Sequence, residues 1–450
     1  MTECIQSSFG FGRCGQREVV ARFDGGTISS DGGALLLKQV NERLRLLPRL
    51  AGCFLDGRDA RKVEHSVEEM LSQRIYGLAL GYEDVQDHEQ LRHDPMFHIL
   101  ARDGELAEPL AGKSTLNRLE LGQGRPDRYK KITFWKESLD ELLVGLFIEA
   151  HPQPPTKIVL DLDTTDVAIH GQQEGRFFHG YYDQYCYLPL YVFCGDHVLC
   201  ARLRTADRDA SAGCLTELER IVKQIRQSWP TVKIVLRGDS GFNRGAILDW
   251  CEARRVDYIL GMARNKRLRK IIGGELQQAR QQWENTGRPA RVFTEFDYRT
   301  HKTWTRARRV VAKAEHINGK ENPRFVVTSL SPEEWPAQQL YEELYCARGD
   351  MENRIKEQFS LFADRVSAAT MRGNQFRLYL SVMAYVLVSA LRRTGLAGTE
   401  LAEAQVSTIR TKLLKIGAQV RVTARKIWIA LASSYPWQPV FARAMTQLRS

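Results

Sequence analysis

Two acidic residues follow apolar, strand-like runs, where they could take part in metal-dependent chemistry. Asp163 is the second aspartate of the run V-L-D-L-D-T-T, and Asp239 follows V-L-R-G in V-L-R-G-D-S-G-F. Strand ends are where α/β sheets build their sites. Two carboxylates about 4 Å apart would repel by about 4 kcal/mol at an effective dielectric near 20. Such clusters are stable when they bind a hard cation, and Mg²⁺ prefers oxygen ligands.

A third acid, Glu352, lies on a predicted long helix over residues 337–359. Tyr345, Arg348 and Glu352 are three and four residues apart, which places them on one helical face. The forked guanidinium of Arg348 suits a phosphate oxygen. The helix is therefore predicted to bring an acid and a phosphate-binding cation to the same site.

The three acids together predict a two-metal site. Two ions about 3.5–4 Å apart can activate a water or a 3′-hydroxyl and stabilise the departing oxygen of a phosphodiester. Asp163 would bridge the ions, and Asp239 and Glu352 would each complete one. The expected cofactor is two Mg²⁺ ions, for which Mn²⁺ can substitute.

The elements around the acids predict an α/β fold with a ribonuclease-H-like catalytic core. Three strands come first, then an amphipathic helix, a strand, a helix and a further strand. The strands are expected at residues 158–160, 185–193, 197–204, 232–236 and 258–260, and the helices near 215–225 and 245–253.

Changes in composition along the chain predict five parts. Pro152, Pro154 and Pro155 mark a linker, and the chain turns basic and strand-like after about residue 265. The expected parts are an N-terminal, mainly helical DNA-binding domain (1–155), the first part of the core (156–264), a β-rich insertion (265–336), the second part of the core with the Glu-bearing helix (337–395), and a basic C-terminal region (396–450).

Composition narrows the class of protein. The 450 residues are 43% hydrophobic with a formal net charge of +11, which suits compact domains and allows nucleic-acid binding. Nine cysteines without a C-x-x-C pair argue against a zinc ribbon or a disulfide framework and favour a reducing cytoplasm. The longest apolar run, 378–391, is too short to span a bilayer, and no signal peptide is evident. We expect a cytoplasmic, nucleoid-associated protein without a membrane partner.

The three acids in their sequence contexts resemble those of the DDE transposases of bacterial insertion sequences. These contexts are D-L-D-T-T, R-G-D-S-G-F and Y-C-A-R-G-D-M-E. The likeness is to the cut-and-paste branch with a Y-R-E signature, which includes the Tn-five and Tn-ten transposases. It extends through S-S-D-G-G-A-L-L-L, S-T-L-N-R-L-E and H-G-Q-Q-E-G. It implies a ribonuclease-H-like fold, Mg²⁺, recognition of terminal inverted repeats, and excision followed by strand transfer into target DNA.

The resemblance also implies partners and DNA contacts. Joining two ends of double-stranded DNA calls for two active sites, so we expect a homodimer in the synaptic complex. The branch signature usually continues with a Lys seven residues after the Glu, and here Phe359 stands at that position. Lys356 is the nearest basic residue, and with Tyr345 and Arg348 it is the expected DNA contact on this helix.

Trp304 lies among Lys302, Arg306, Arg308 and Arg309 in the insertion. An exposed aromatic side chain among cations can stack on an unpaired base. The resemblance implies excision through a hairpin at each DNA end, a step that Trp304 would assist. A tryptophan in the core of a sheet is the alternative interpretation.

Two other functions stay open. V-L-D-L-D-T-T also fits the nucleophile motif of haloacid-dehalogenase-type phosphatases, in which Asp161 attacks a phosphate and Asp163 acts as general acid. Such an enzyme needs a later acidic pair, yet the fourth residue after Asp239 is Asn243. Asp161 can instead be a strand residue that supports Asp163. The non-enzymatic alternative is an inactive relative that binds DNA and regulates, which the presence of all three acids disfavours.

Overall fold

The computed structural model describes residues 8–102, 108–122, 124–125 and 127–449. The chain divides into two compact units. One is formed by the residues before 134 together with those after 382, and the other by residues 134–382. All of the candidate site residues belong to the second unit.

The N-terminal stretch combines short strands with several helices. The strands are β1 (Phe9–Cys14), β2 (Arg17–Ala21), β3 (Ile28–Ser29), β4 (Phe54–Asp56) and β5 (Ile132–Phe134). The helices are α1 (Leu35–Leu44), α2 (Leu46–Ala51), α3 (Val67–Leu80), α4 (His88–Leu91), α5 (Pro95–Ala101) and α6 (Lys113–Glu120).

The second unit alternates strands and helices. Its strands are β6 (Lys157–Thr164), β7 (Val167–Ala168), β8 (Phe177–His179), β9 (Gln184–Tyr187), β10 (Leu190–Cys194), β11 (His197–Arg202), β12 (Lys233–Gly238), β13 (Asp257–Met262), β14 (Ala290–Tyr298), β15 (Arg308–Ile317), β16 (Lys320–Glu321) and β17 (Arg324–Thr328). Its helices are α7 (Lys136–Glu149), α8 (Cys214–Ser228), α9 (Gly245–Ala253), α10 (Lys266–Ile271), α11 (Gly273–Thr286), α12 (Ala337–Gln339), α13 (Gly349–Phe359) and the part of α14 (Met371–Ala390) before residue 383.

The C-terminal stretch returns to the first unit. Its elements are α15 (Val406–Ile409), β18 (Ala418–Val422), β19 (Ile427–Leu431) and α16 (Gln438–Arg449). Strand β18 pairs with β19 on one side and with β3 on the other, so that Ala418 lies opposite Ser29. The two ends of the chain therefore share one small sheet.

A mixed sheet forms the centre of the second unit. Within the described residues it has nine strands, in the order β11-β10-β6-β12-β13-β17-β15-β14, with β16 beside β15. Strands β6, β12 and β13 run parallel, and the other pairings are antiparallel. Strands buried on both faces read as nearly continuous apolar runs, as in I-V-L of both β6 and β12.

Helices cover both faces of this sheet. On one face, Leu160 and Leu236 pack in a cluster with residues of α7, α8 and α9. On the other face, Val235 and Ile259 pack against Leu340 and Leu344. The segment that leads to Glu352 is therefore anchored directly on the central strands.

The part of the chain predicted as a β-rich insertion differs from expectation in two respects. It begins with two helices, α10 and α11, before its strands. Its strands β14, β15 and β17 then continue the main sheet, since β17 pairs directly with β13. The segment enlarges the core sheet and does not form a separate subdomain.

The unit boundary also lies elsewhere than the proline-rich linker. Helix α7 precedes that linker but packs on β11 and α8 of the second unit. Residues 396–450, predicted as a separate basic region, belong to the same unit as the N-terminal stretch. The prolines at 152–155 therefore lie within the second unit and do not mark its boundary, because α7 buries its apolar face on the sheet that follows.

The apolar run 378–391 lies mostly in α14, where Leu380 and Val382 are buried. Among the helices of the described ranges, none is both long enough and apolar enough to cross a bilayer.

A buried polar network links four elements of the second unit. The Tyr379 hydroxyl on α14 donates to Asp140 of α7 at 2.7 Å and accepts from Arg202 of β11 at 3.0 Å. Arg202 also pairs with Asp140 and, at 2.9 Å, with Glu217 of α8. Because the members are largely withdrawn from water, each depends on the others for its hydrogen bonds.

We predict that Tyr379→Phe lowers the free energy of unfolding by about 1–3 kcal/mol, because buried Asp140 and Arg202 each lose a hydrogen-bond partner. Denaturant unfolding followed by circular dichroism measures this loss. The control is Tyr181→Phe, at a side chain that is 85% exposed. Equal midpoints for the two variants would contradict a structural role for the network.

Candidate active site

Two of the predicted acids lie side by side at one edge of the main sheet. The parallel pairing of β6 with β12 places Gly238 beside Leu162. Asp163 follows Leu162 on β6, and Asp239 follows Gly238 at the end of β12. Neighbouring strands are about 4.8 Å apart. Repulsion from Asp239 is one of the effects that raise the pKa of Asp163, which is consistent with this placement.

Local backbone hydrogen bonds orient both aspartates. One oxygen of Asp163 accepts from the Thr164 amide at 2.8 Å. One oxygen of Asp239 accepts from the Gly241 amide at 2.8 Å and caps the short helical turn Ser240–Phe242. Aspartate favours such turns because its short side chain reaches the amide two residues ahead. The D-S-G sequence therefore ends β12 and fixes its acid.

The third acid follows an irregular helix. The chain forms a π-helical segment at Leu340–Tyr345 and a 3-10 turn at Cys346–Arg348, and then α13 begins. The predicted helix over 337–359 is therefore present with two irregular turns in it. Such π segments often occur at functional sites, and here the irregular turns immediately precede Glu352.

Arg348 connects the acids. Its guanidinium donates to Asp163 at 3.0 Å and to Glu352 at 2.7 Å. Burial, together with repulsion from Asp239 and Glu352, raises the pKa of Asp163 to about 6, while Arg348 and the Thr164 amide act in the opposite direction. The arginine thus supplies positive charge where the acids would otherwise repel one another.

Asp161 has a structural role. It is 4% exposed, and both of its oxygens accept from Arg237, one of them at 2.8 Å. The remaining nitrogen of Arg237 donates to the Leu344 carbonyl. This geometry supports the interpretation of Asp161 as a strand residue behind Asp163 and leaves it no open side for attack on a substrate.

We predict that Asp161→Ala destabilises the protein by about 3–5 kcal/mol, because it leaves the Arg237 charge buried and unpaired. The double variant Asp161→Leu/Arg237→Met should recover part of that loss, because it removes both charges. Denaturant unfolding compares the two. A double variant no more stable than Asp161→Ala would show that the buried charge is not the cause.

A cavity of about 540 Å³ opens beside Asp239. Tyr345 lines it, and a side chain at Gly261 would come within 2.6 Å of the Tyr345 hydroxyl oxygen. Glycine at that position of β13 therefore lets Tyr345 approach Asp239. The full lining is Asp239, Ser240, Gly261, Met262, Ala263, Arg264, Pro323, Arg324, Phe325, Tyr341, Tyr345 and Arg348.

The three acids and Arg348 are grouped together, whereas Lys356 lies farther along α13. Asp163, Asp239, Glu352 and Arg348 interact electrostatically. Lys356 is exposed one turn beyond Glu352 on α13. Sequence reasoning missed Gly261, Arg264 and Arg324. The last two were detectable only as cations adjoining strands whose positions in the sheet were not yet known.

Asp163, Asp239 and Glu352 are candidate ligands for a divalent cation. Their oxygens are of the chemical type that Mg²⁺ binds. In the described ranges, no three His, Cys, Asp or Glu side chains are already arranged as a ligand set. The guanidinium of Arg348 bridges Asp163 and Glu352.

Trp304 corrects a sequence-based prediction. Its side chain is 5% exposed within the core of the second unit, and its ring packs edge-on against Tyr298 with 5.9 Å between centroids. Stacking on a DNA base would require the ring to leave the core. The basic neighbourhood in the sequence was misleading, because Arg308 is itself buried and paired with Asp249 and Glu252.

We predict that Trp304→Ala lowers the free energy of unfolding by about 3–5 kcal/mol through the cavity it leaves. The control is Trp428→Ala, at a side chain that is 51% exposed. Thermal unfolding of both variants separates the two cases. A Trp304→Ala protein as stable as the control would reopen the interpretation of this residue as a base-stacking side chain.

A comparison against protein families identifies the family of the chain. The family model for transposase DDE domain group 1 matches residues 11–450. The chain belongs to this family. A comparison with curated proteins gave no significant match. Among solved structures, a similar one is the cryo-EM structure of a piggyBac transposase synaptic complex with hairpin DNA. It is 10% identical with a TM-score of 0.40, over 86% of this chain and 80% of that chain.

Proposed function

We propose that the chain is a DNA transposase that cuts and joins DNA strands at a site formed by Asp163, Asp239 and Glu352. The observation that carries the proposal is the grouping of these acids around Arg348, in a chain of the transposase DDE family. Each acid comes from a different segment, and all three segments are held by the core sheet.

We further propose that the core is ribonuclease-H-like. The spatial order β11-β10-β6-β12-β13 supports this. Within this sheet, the first three strands along the chain, β6, β10 and β11, form an antiparallel meander. Strands β12 and β13 lie parallel to β6 on its other side. Helices α8 and α9 connect these strands in the order expected of that core.

Asp163, Asp239 and Glu352 would hold divalent cations, with Mg²⁺ as the expected species. When bound, the ions would activate a water or a 3′-hydroxyl and stabilise the departing oxygen of the phosphodiester. The protein's own residues perform the positioning. The Gly241 amide orients Asp239, and the Thr164 amide orients Asp163.

Arg348 would alternate between two tasks in this proposal. Without cations it pairs with Asp163 and Glu352. When Asp163 and Glu352 hold cations, the forked guanidinium of Arg348 would bind a DNA phosphate, because it is suited to two parallel hydrogen bonds. Tyr345 and Lys356 would add contacts to the same strand.

The finer assignment is to the cut-and-paste branch with the Y-R-E signature. Tyr345, Arg348 and Glu352 support it, and Phe359 departs from it. The proposed substrates are the terminal inverted repeats of an insertion sequence and a target DNA, joined by a homodimer.

The phosphatase alternative is not favoured, because Asp161 is paired with Arg237.

We predict that Asp239→Asn and Glu352→Gln each reduce DNA cleavage to the level of the reaction without protein, because each removes a carboxylate needed for the cation. The assay incubates protein and Mg²⁺ with a duplex carrying one end of the encoding element. Asp350→Asn is the control. Asp350 is exposed two residues before Glu352, and residues so spaced do not share a helical face.

Full-rate cleavage by Asp239→Asn would reject this site. Tight binding of the same duplex by the native chain without any cleavage would favour the inactive regulator. Metal-dependent release of phosphate from small phosphomonoesters that is lost in Asp161→Asn would favour the phosphatase.

A further inference from the structure

The cavity beside Asp239 is also lined by two arginines outside the group of acids. Arg264 and Arg324 both line it and are both exposed. Neither belongs to the Y-R-E signature, and neither takes part in holding the three acids.

Sheet geometry explains why these cations lie beside the acids. Strand β13 runs parallel to β12, so both strands end at the same edge of the sheet. Arg264 follows the end of β13 by two residues. Strand β17 is antiparallel to β13, with Phe325 opposite Met262, so that its first residue, Arg324, lies at this edge too.

Several other arginines in this part of the chain form ion pairs with glutamates. Arg269 pairs with Glu321, Arg291 with Glu315, and Arg309 with Glu295. Across the residues that the structure describes, no carboxylate lies within ion-pairing distance of Arg264 or Arg324. Unpaired guanidinium groups that share a cavity wall are available for an external anion.

We propose that Arg264 and Arg324 bind a backbone phosphate of the DNA strand next to the phosphodiester that Asp239 acts on. This inference rests on the proposed function and names a contact for the substrate beyond the acids. Lys266 and Lys270 of α10, which follows Arg264 in the chain, are exposed cations as well.

This arrangement solves an electrostatic problem of the site. Three carboxylates repel the phosphates of DNA, and Arg348 is already engaged with two of them. Two unpaired guanidiniums that line the same cavity as Asp239 would attract the strand without neutralising the acids. They position the backbone and are indifferent to base sequence.

The test measures binding of the native chain and of Arg264→Ala/Arg324→Ala to a labelled duplex carrying one end of the element, without Mg²⁺. The dependence of affinity on salt reports the number of phosphates neutralised, at about 0.9 in slope for each contact. Loss of this phosphate contact should reduce the slope by about 0.9. Lys233→Ala is the control, because Lys233 is an exposed cation at the opposite end of β12.

A second measurement locates the contact. Single phosphates of the duplex are replaced by neutral methylphosphonates, one at a time around the junction between the end of the element and its flanking DNA. We expect the native chain to lose affinity at one or two positions beside that point, and the double variant to be insensitive at those positions only. Unchanged sensitivity at those positions in the double variant, or an unchanged salt slope, would overturn the proposal.

Cleavage of the same duplex by the native chain in Mg²⁺ tests the proposed function separately. A chain that cuts but shows no dependence on the two arginines contradicts the phosphate site alone. A chain that shows the dependence but never cuts supports the phosphate site and contradicts the transposase. Competition by free inorganic phosphate at constant ionic strength, without any position-dependent effect of methylphosphonates, would identify a simple anion site and overturn the DNA contact.

Discussion

The buried ion pair between Arg237 and Asp161 joins the three segments that carry the candidate acids. Asp161 precedes Asp163 by two residues on β6, and Arg237 stands at the same distance before Asp239 on β12. A third hydrogen bond from Arg237 reaches the Leu344 carbonyl, one residue before Tyr345. Since a slip of one residue would turn the side chains of a strand to its other face, this pair fixes the register on which the site depends.

The arginines of the site fall into two groups, one in contact with the acids and one on the wall of the cavity. An inner arginine, Arg348, balances the carboxylates, and outer arginines on the cavity wall face solvent. A buried ion pair contributes little net stability over an apolar pair. Geometric definition is therefore the better physical explanation for charged residues in the centre of this sheet. In the proposed function, the same arrangement would let an acidic centre accept a polyanion, because Arg264 and Arg324 line the cavity beside it.

The central strands and their acids could be predicted from the sequence because apolar runs that end in an acid are a local pattern. The strands β6, β12 and β13 and the amphipathic α8 lie close to their predicted ranges. The role of Asp161 could not be decided in this way. Its partner Arg237 is 76 residues distant, and only the pairing of the strands brings the two together.

Other expectations failed because they relied on local composition. The cations around Trp304 suggested exposure, yet Arg308 is paired with acids from α9, and the tryptophan ring completes the core. The strands after residue 265 were recognised approximately, but their union with β13 is a long-range pairing that alternating residues do not encode. The left-handed or tightly packed positions of individual glycines, such as Gly261, likewise become meaningful only when the neighbouring segment is known.

The pairing of β3 with β18 has a consequence for synthesis of the chain. The small sheet of the first unit needs Ile28 and Ser29 from the beginning of the chain and Ala418 and Gln419 from near its end. Domains generally fold as units while the ribosome still extends the chain. The second unit is contained within residues 134–382, all of which are translated before β18. The first unit must wait for translation to pass residue 419, so a prematurely terminated product would retain the acids without a completed first unit.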